Sequence, residues 1–192
     1  MEEVAKRLDA PRISPVAFED LTAEQREAQG GLADRPPILN IFATMARAPK
    51  ALARFLEWGN YVLSRRISMP AREREIVIMR VGYVCRSGYE FTQHMRIGLV
   101  SGLTAGEIAA IKAGAGAGWS EADAALIAAA DELVGDHFVS DATWARLRAH
   151  LDEKQCMDVV FTVGQYTQVS MLLNTFGVQL DTGQTLDPDL RA

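Results

Sequence analysis

Apolar residues recur at helical spacing along most of the chain beyond residue 37. Ile38, Ile41, Phe42 and Met45 follow the i, i+3, i+4, i+7 pattern until Pro49 interrupts it. A second period over 49–63 presents Leu52, Phe55, Leu56, Gly59 and Leu63 on one side. A third starts near Pro70, with the proline in a first turn and Ser68 as N-cap, and carries Ile76, Met79 and Tyr83. It bends or breaks around 85–88, and another helix begins before Tyr89 and stops at Gly102. Thr104 and Glu107 have capping-box spacing for a short helix through Lys112, after which AGAGAG at 113–118 reads as a flexible loop. Ser120 and Asp123 open an alanine-rich helix ending near His137, and a short helix covers 142–150. Asp152 caps a long helix from 153 to about 176 that is apolar on most sides, which predicts a core or interface position; Gly177 follows its end. The β-branched run at 76–78 lies inside a helical period, so no strand is predicted. The pattern is that of an all-α protein with one helical domain over 38–192.

Residues 1–37 differ. They are polar and punctuated by Pro11, Pro15, Pro36 and Pro37, with one short helix over 22–29 marked by a Thr22/Gln25 capping box. This is an extended arm, and the sequence leaves open whether it wraps its own domain or reaches a neighbouring subunit.

Composition narrows the class. A chain of 192 residues with 48% hydrophobic and 23% charged residues can bury a sizeable core and is not disordered. The net charge of −5 and the lack of a basic stripe exclude nucleic acid as an expected partner. No run is apolar enough for a signal peptide or a membrane span, so the expected location is the cytoplasm, without membrane association. Cys85 and Cys156 are then free thiols rather than a disulfide framework.

Chemistry is concentrated in 72–111. Glu90 and His94 are four residues apart and share a helix face; Ser87 precedes Glu90 on that face, and Glu75 lies upstream among apolar residues. Burying such groups unpaired is costly, so they are expected to pair with one another or with Arg72 or Arg80. A buried Glu–His pair can exchange protons near neutral pH, although the same residues also suit a structural ion pair between helices. Cys85, at a helix junction beside Arg86, is either a thiol of lowered pKa or a small buried hydrophobe. His137 and His150 sit near helix C-termini, where a structural role suffices. No third ligand accompanies Glu90 and His94, so a metal is not favoured, and the glycines of 113–118 lack the preceding strand of a nucleotide loop.

The RERE start at 72–75, YEFTQH at 89–94 and GLTAGEIAAI at 102–111 resemble the carboxymuconolactone decarboxylase and alkylhydroperoxidase D-like family. Flanking segments, PPILNIFATMARAPKAL upstream and GQYTQVSMLLNTFGV downstream, extend the likeness over most of the chain beyond the first thirty or so residues. The resemblance implies an all-helical bundle and a homo-oligomer (dimer, trimer or hexamer) acting on a small molecule. Peroxidase members carry a CxxC pair followed by His, with an upstream Glu completing a proton relay. Counted back from His94, the thiol positions fall on Ser87 and Glu90 and the upstream glutamate on Glu75. Disulfide-cycling peroxidase chemistry, which needs both thiols, is therefore not expected here. The retained set implies a cofactor-free acid–base lyase or isomerase acting on a small lactone or oxo-acid. His94 would be the proton carrier, Glu90 would orient or charge it, and Glu75 would be the second relay member. Tyr89 and Ser87 would donate to a substrate oxygen, and Arg72 or Arg80 would hold a substrate carboxylate. The alternative is a one-cysteine peroxidase or redox sensor using Cys85.

Overall fold

Ile76, Val77, Ile78 and Met79 are consecutive, and none of the four is exposed to solvent. They belong to α4 (Ala71–Val84), which is buried on every side over two turns and around which the other helices are laid. The computed structural model describes residues 7–191; residues 1–6 of the predicted arm, and Ala192, lie outside the described residues. Among those described there are nine α-helices and no strand: α1 (Ala23–Gln29), α2 (Asn40–Met45), α3 (Pro49–Leu63), α4, α5 (Gly88–Val100), α6 (Ala105–Ala113), α7 (Glu121–Gly135), α8 (Asp141–Arg148) and α9 (Glu153–Phe176). The protein is all-α.

Local signals set the boundaries. Thr22, Thr104 and Asp152 each form a full capping box with the residue three positions on, and the hydroxyls of Ser120 and Ser140 accept the amides of Asp123 and Thr143. The start of α4 differs from expectation. Pro70 itself occupies the N-cap position with no side-chain bond, while the Ser68 amide donates to the buried Asp158 Oδ2 at 2.6 Å. A tertiary partner for that amide replaces the local cap.

Helix α5 folds back along α4 through a three-residue turn in which Arg86 adopts φ 53° and the Ser87 amide donates to Gly82 O at 2.8 Å. Helices α4 and α7 run in the same direction: Arg72 pairs with Asp123 and Arg80 with Asp131, both 51 residues apart in sequence. Helix α9 closes the bundle, burying Val159, Val163, Tyr166, Val169 and Leu173 in one cluster with Val77, Ile78 and Val81 of α4.

The described part of the N-terminal segment lies along its own chain. Arg12 and Ile13 amides donate to Phe176 O, the Val16 amide donates to Ala43 O, and Leu21 packs with Ala46 and Leu52. Gly177, which ends α9 at φ 68°, makes this possible, since a Cβ there would stand 2.8 Å from Ala10 O. Gly177→Ala is expected to lower stability by about 1–3 kcal/mol, from the left-handed backbone and the clash together. The check is the thermal midpoint together with protease cleavage, which should increase around 8–13; an unchanged midpoint would mean that the segment is not held by this contact.

Candidate active site

Three residues from two helices meet under the bundle surface. Glu75 is in the second turn of α4, and Glu90 and His94 are one turn apart on α5; all three are at most 6% exposed. The turn at 85–87 brings α5 antiparallel to α4, and the His94 ring then lies between the two carboxyl groups. Its Nδ1 is 2.6 Å from Glu75 Oε2 and its Nε2 2.9 Å from Glu90 Oε1. Both ring nitrogens are therefore engaged. On the far side Glu75 Oε1 lies 3.5 Å from Arg74 Nε, and the Tyr166 ring of α9 meets the imidazole edge-on at 5.1 Å.

Burial alone would lower the pKa of His94, because desolvation penalises the cation. The charges of Glu90 and Glu75 and the hydrogen bonds to both outweigh it and hold the imidazole above its ordinary range. The ring is thus an imidazolium bridging two carboxylates. Burial, and then the same two carboxylates, push the Tyr166 phenol well above its ordinary value, so it stays protonated and able to donate.

One face of this cluster opens on a cavity of about 260 Å³. Glu90, His94, Tyr89, Gln93, Gln165, Tyr166 and Asn60 contribute the polar part of the wall; Leu39, Ile41, Phe42, Phe55, Leu56, Leu63, Ile97 and Val169 make the larger, apolar part. Glu75 lies behind His94 and does not line the cavity. Such a site can pass a proton from the cavity to Glu90 and on through His94 to Glu75. Because Nε2 is occupied by Glu90, it is the Glu90 carboxyl, with the imidazolium behind it, that faces a bound molecule.

The other residues singled out from sequence are distributed differently. Tyr89 lines the cavity, but its hydroxyl donates to Asp181 Oδ2 at 2.7 Å and is approached by the Ile41 amide at 3.5 Å. Ser87 is fully buried, its hydroxyl has no partner among the described residues, and it is not in the cavity wall. Arg72 and Arg80 are also outside it, a correction to the carboxylate-binding role expected of them. Arg72 bonds both oxygens of Asp123 (3.0 and 3.1 Å) and Glu107, and Arg80 bonds Asp131 and the carbonyls of Ile111 and Lys112 (2.7 and 3.0 Å). Both serve as struts between helices.

Cys85 caps the end of α4, half-buried against the core and away from the cavity. Burial pushes its thiol up, and the neighbouring Ser170 and Thr167 side chains only partly oppose this; a reactive thiolate needs the opposite shift.

Sequence reasoning missed Tyr166, Gln165, Gln93, Asn60 and Asp181. Asp181 accepts from Tyr89, from Gln93 and from the Asn40 amide at 2.8 Å, tying the segment after α9 to α5 and the start of α2. Among the described residues no group of three or more His, Cys, Asp or Glu is arranged to hold a metal, and no helix is long and apolar enough to cross a membrane.

This combination defines a class: an all-helical alkylhydroperoxidase D-like fold that carries a carboxylate–imidazole–carboxylate cluster. Residues 49–132 match the carboxymuconolactone decarboxylase family. Over 94% of both chains the fold is similar, with a TM-score of 0.74 and 17% identity, to the alkylhydroperoxidase AhpD core of a peroxidase-related protein from Ralstonia eutropha JMP134. A peroxidase-related protein from Silicibacter sp. TM1040 gives 0.69 at 14% identity, again over 94% of both chains. The debrominase Bmp8, solved as a cysteine-to-alanine variant with 2,3,4-tribromopyrrole, gives 0.70 at 13% identity over 88% of this chain and 91% of its own. No curated protein matches the chain in sequence. The family match covers the segment that carries Glu75, Glu90 and His94, and the likeness to the solved structures is one of fold.

Proposed function

We propose that the protein is a cofactor-free acid–base enzyme that decarboxylates or isomerises a small lactone or oxo compound, with Glu90 as the group that exchanges a proton with substrate carbon. The observation that carries this reading is the position of Glu90. It lines an apolar cavity while bonded at 2.9 Å to a buried imidazole whose other nitrogen is held by Glu75. A carboxylate there removes or returns a proton at carbon. His94 stabilises whichever charge Glu90 carries at each stage, and Glu75, backed by Arg74, keeps the ring oriented and protonated. The chemistry draws on no thiol, in keeping with the placement of Cys85.

The same reading includes a homo-oligomer in the cytoplasm. Met157, Val160 and Met171 leave one side of α9 apolar and exposed, with Trp58 beside it on α3 and Trp144 on α8, a face suited to self-association.

The test is solvent-deuterium incorporation at the acidic carbon of unsaturated lactones, followed by NMR. Glu90→Gln preserves size and removes the base. Its exchange rate is expected to fall by about two orders of magnitude with the circular dichroism spectrum unchanged. Full activity in that variant would overturn the assignment.

A further inference from the structure

We propose that the cavity takes an uncharged carbonyl compound about one substituted ring in size, whose oxygen accepts a hydrogen bond from Tyr166 while its acidic C–H faces Glu90. The inference rests on the acid–base reading of Glu90, narrows it from decarboxylation, whose substrate is an anion, to isomerisation, and adds the substrate class and a further catalytic residue.

The charge around the cavity comes first. No lysine or arginine is in its wall. The two arginines from which a carboxylate clamp was expected, Arg72 and Arg80, are saturated by Asp123, Glu107 and Asp131 on other faces of α4. Against the cavity stand Glu90 and, behind Tyr89 and Gln93, Asp181. The one cation in the wall is the His94 imidazolium, and both of its nitrogens are already held by carboxylates. An anionic substrate would enter a low-dielectric space of its own sign with no counter-ion. A neutral one would not.

The donor inventory comes second. Deprotonating a carbon next to a carbonyl sends charge to the carbonyl oxygen, which needs a hydrogen-bond donor already in place. Tyr89 cannot serve, because its proton is committed to Asp181. The Tyr166 hydroxyl has no hydrogen-bond partner among the described residues, and it is not one of the sealed, unpartnered buried atoms, so it has open space before it. It lines the cavity next to His94, and it stays protonated for the reasons given above.

With a β,γ-unsaturated lactone the step balances without a cofactor. The α C–H bond breaks, its proton passes to Glu90, and its electron pair moves through the carbonyl to the oxygen, giving a dienolate held by Tyr166. Return of the same proton to the γ-carbon re-forms the carbonyl and leaves the double bond conjugated.

The probes are α-angelica lactone, which is neutral, and the same ring with its methyl group replaced by carboxymethyl. Binding to the wild-type protein and to Tyr166→Phe is measured by saturation-transfer NMR, and isomerisation by ultraviolet absorbance. The neutral lactone should bind at least tenfold more tightly than the carboxylate. Tyr166→Phe should lower kcat for it by about a hundredfold with KM changed less, as expected for a donor used mainly in the transition state. Equal or preferential binding of the carboxylate, binding of neither, or an unchanged kcat in Tyr166→Phe would each overturn the proposal. Loss of turnover in Tyr166→Phe with full turnover in Glu90→Gln would instead overturn the acid–base assignment of Glu90, and with it the placing of the C–H bond, and leave Tyr166 as the oxygen's donor.

Discussion

Replacing His94 by alanine is expected to cost about 3–5 kcal/mol of folding free energy, as breaking a buried ion pair from one side does. The ring bridges Glu75, which has no solvent exposure, and Glu90, which has 4%. Without it two buried carboxylates face a vacated space, and among the described residues the remaining cation paired with either is Arg74, 3.5 Å from Glu75. Desolvation is then uncompensated for Glu90 and only partly compensated for Glu75. Urea denaturation measures the loss directly. The double variant His94→Ala/Glu75→Gln should lose less than the sum of its single changes, with a coupling of about 1–3 kcal/mol. A loss below about 1 kcal/mol in the single variant would show that the cluster is solvated and that the buried-charge description is wrong. For the same reason alanine at 94 is a poor probe of catalysis: lost turnover there would mix chemistry with unfolding. Glu90→Gln keeps the volume and one hydrogen-bonding oxygen, which is why the activity test is placed on it.

The helix boundaries were legible because they are written locally. A capping box occupies four residues, so Thr22, Thr104 and Asp152 announce their helices without any tertiary information, and Gly177 announces an end. Glu75 was legible for a different reason. Its partner is 19 residues away on another helix, beyond any periodicity argument, and the family pattern supplied it. Where no such pattern existed the reading went astray. Arg72 and Arg80 looked like free cations near an active site because Asp123 and Asp131 are 51 residues downstream. The matching eight-residue spacing of the two arginines and the two aspartates was the available signal, and it is what two parallel helices joined by two ion pairs must show. Tyr166 was hidden in a helix apolar on most sides, where one more aromatic residue does not stand out, and its role depends on which way it faces. Asp181 lies beyond the last helix in irregular sequence, and nothing about a lone aspartate there points to Tyr89.

Raising the pH should destabilise this protein more steeply than a neutral-cluster variant. The cause is again His94, whose pKa in the folded chain is held above its unfolded value by Glu90 and Glu75. Below about pH 6.5, the ordinary imidazole value, folded and unfolded chains both carry the proton, and the ring's pairing contributes in full. Above it the unfolded chain sheds the proton while the folded one keeps it, so each further unit removes up to about 1.4 kcal/mol of stability until the folded pKa is passed. The comparison is with the triple variant Glu75→Gln/His94→Gln/Glu90→Gln, which retains the hydrogen-bonding atoms and has no titrating group in the cluster. Urea midpoints taken from about pH 6.5 to 9.5 should diverge, with the wild type losing ground at each step. Parallel curves would mean that the ring is neutral between its carboxyl groups. In that case Glu90 would face the cavity as half of a neutral hydrogen-bonded pair rather than as a carboxylate, and its capacity to take a proton from carbon would have to come from elsewhere. The alkaline slope therefore reports, without any substrate, the protonation state on which the proposed chemistry depends.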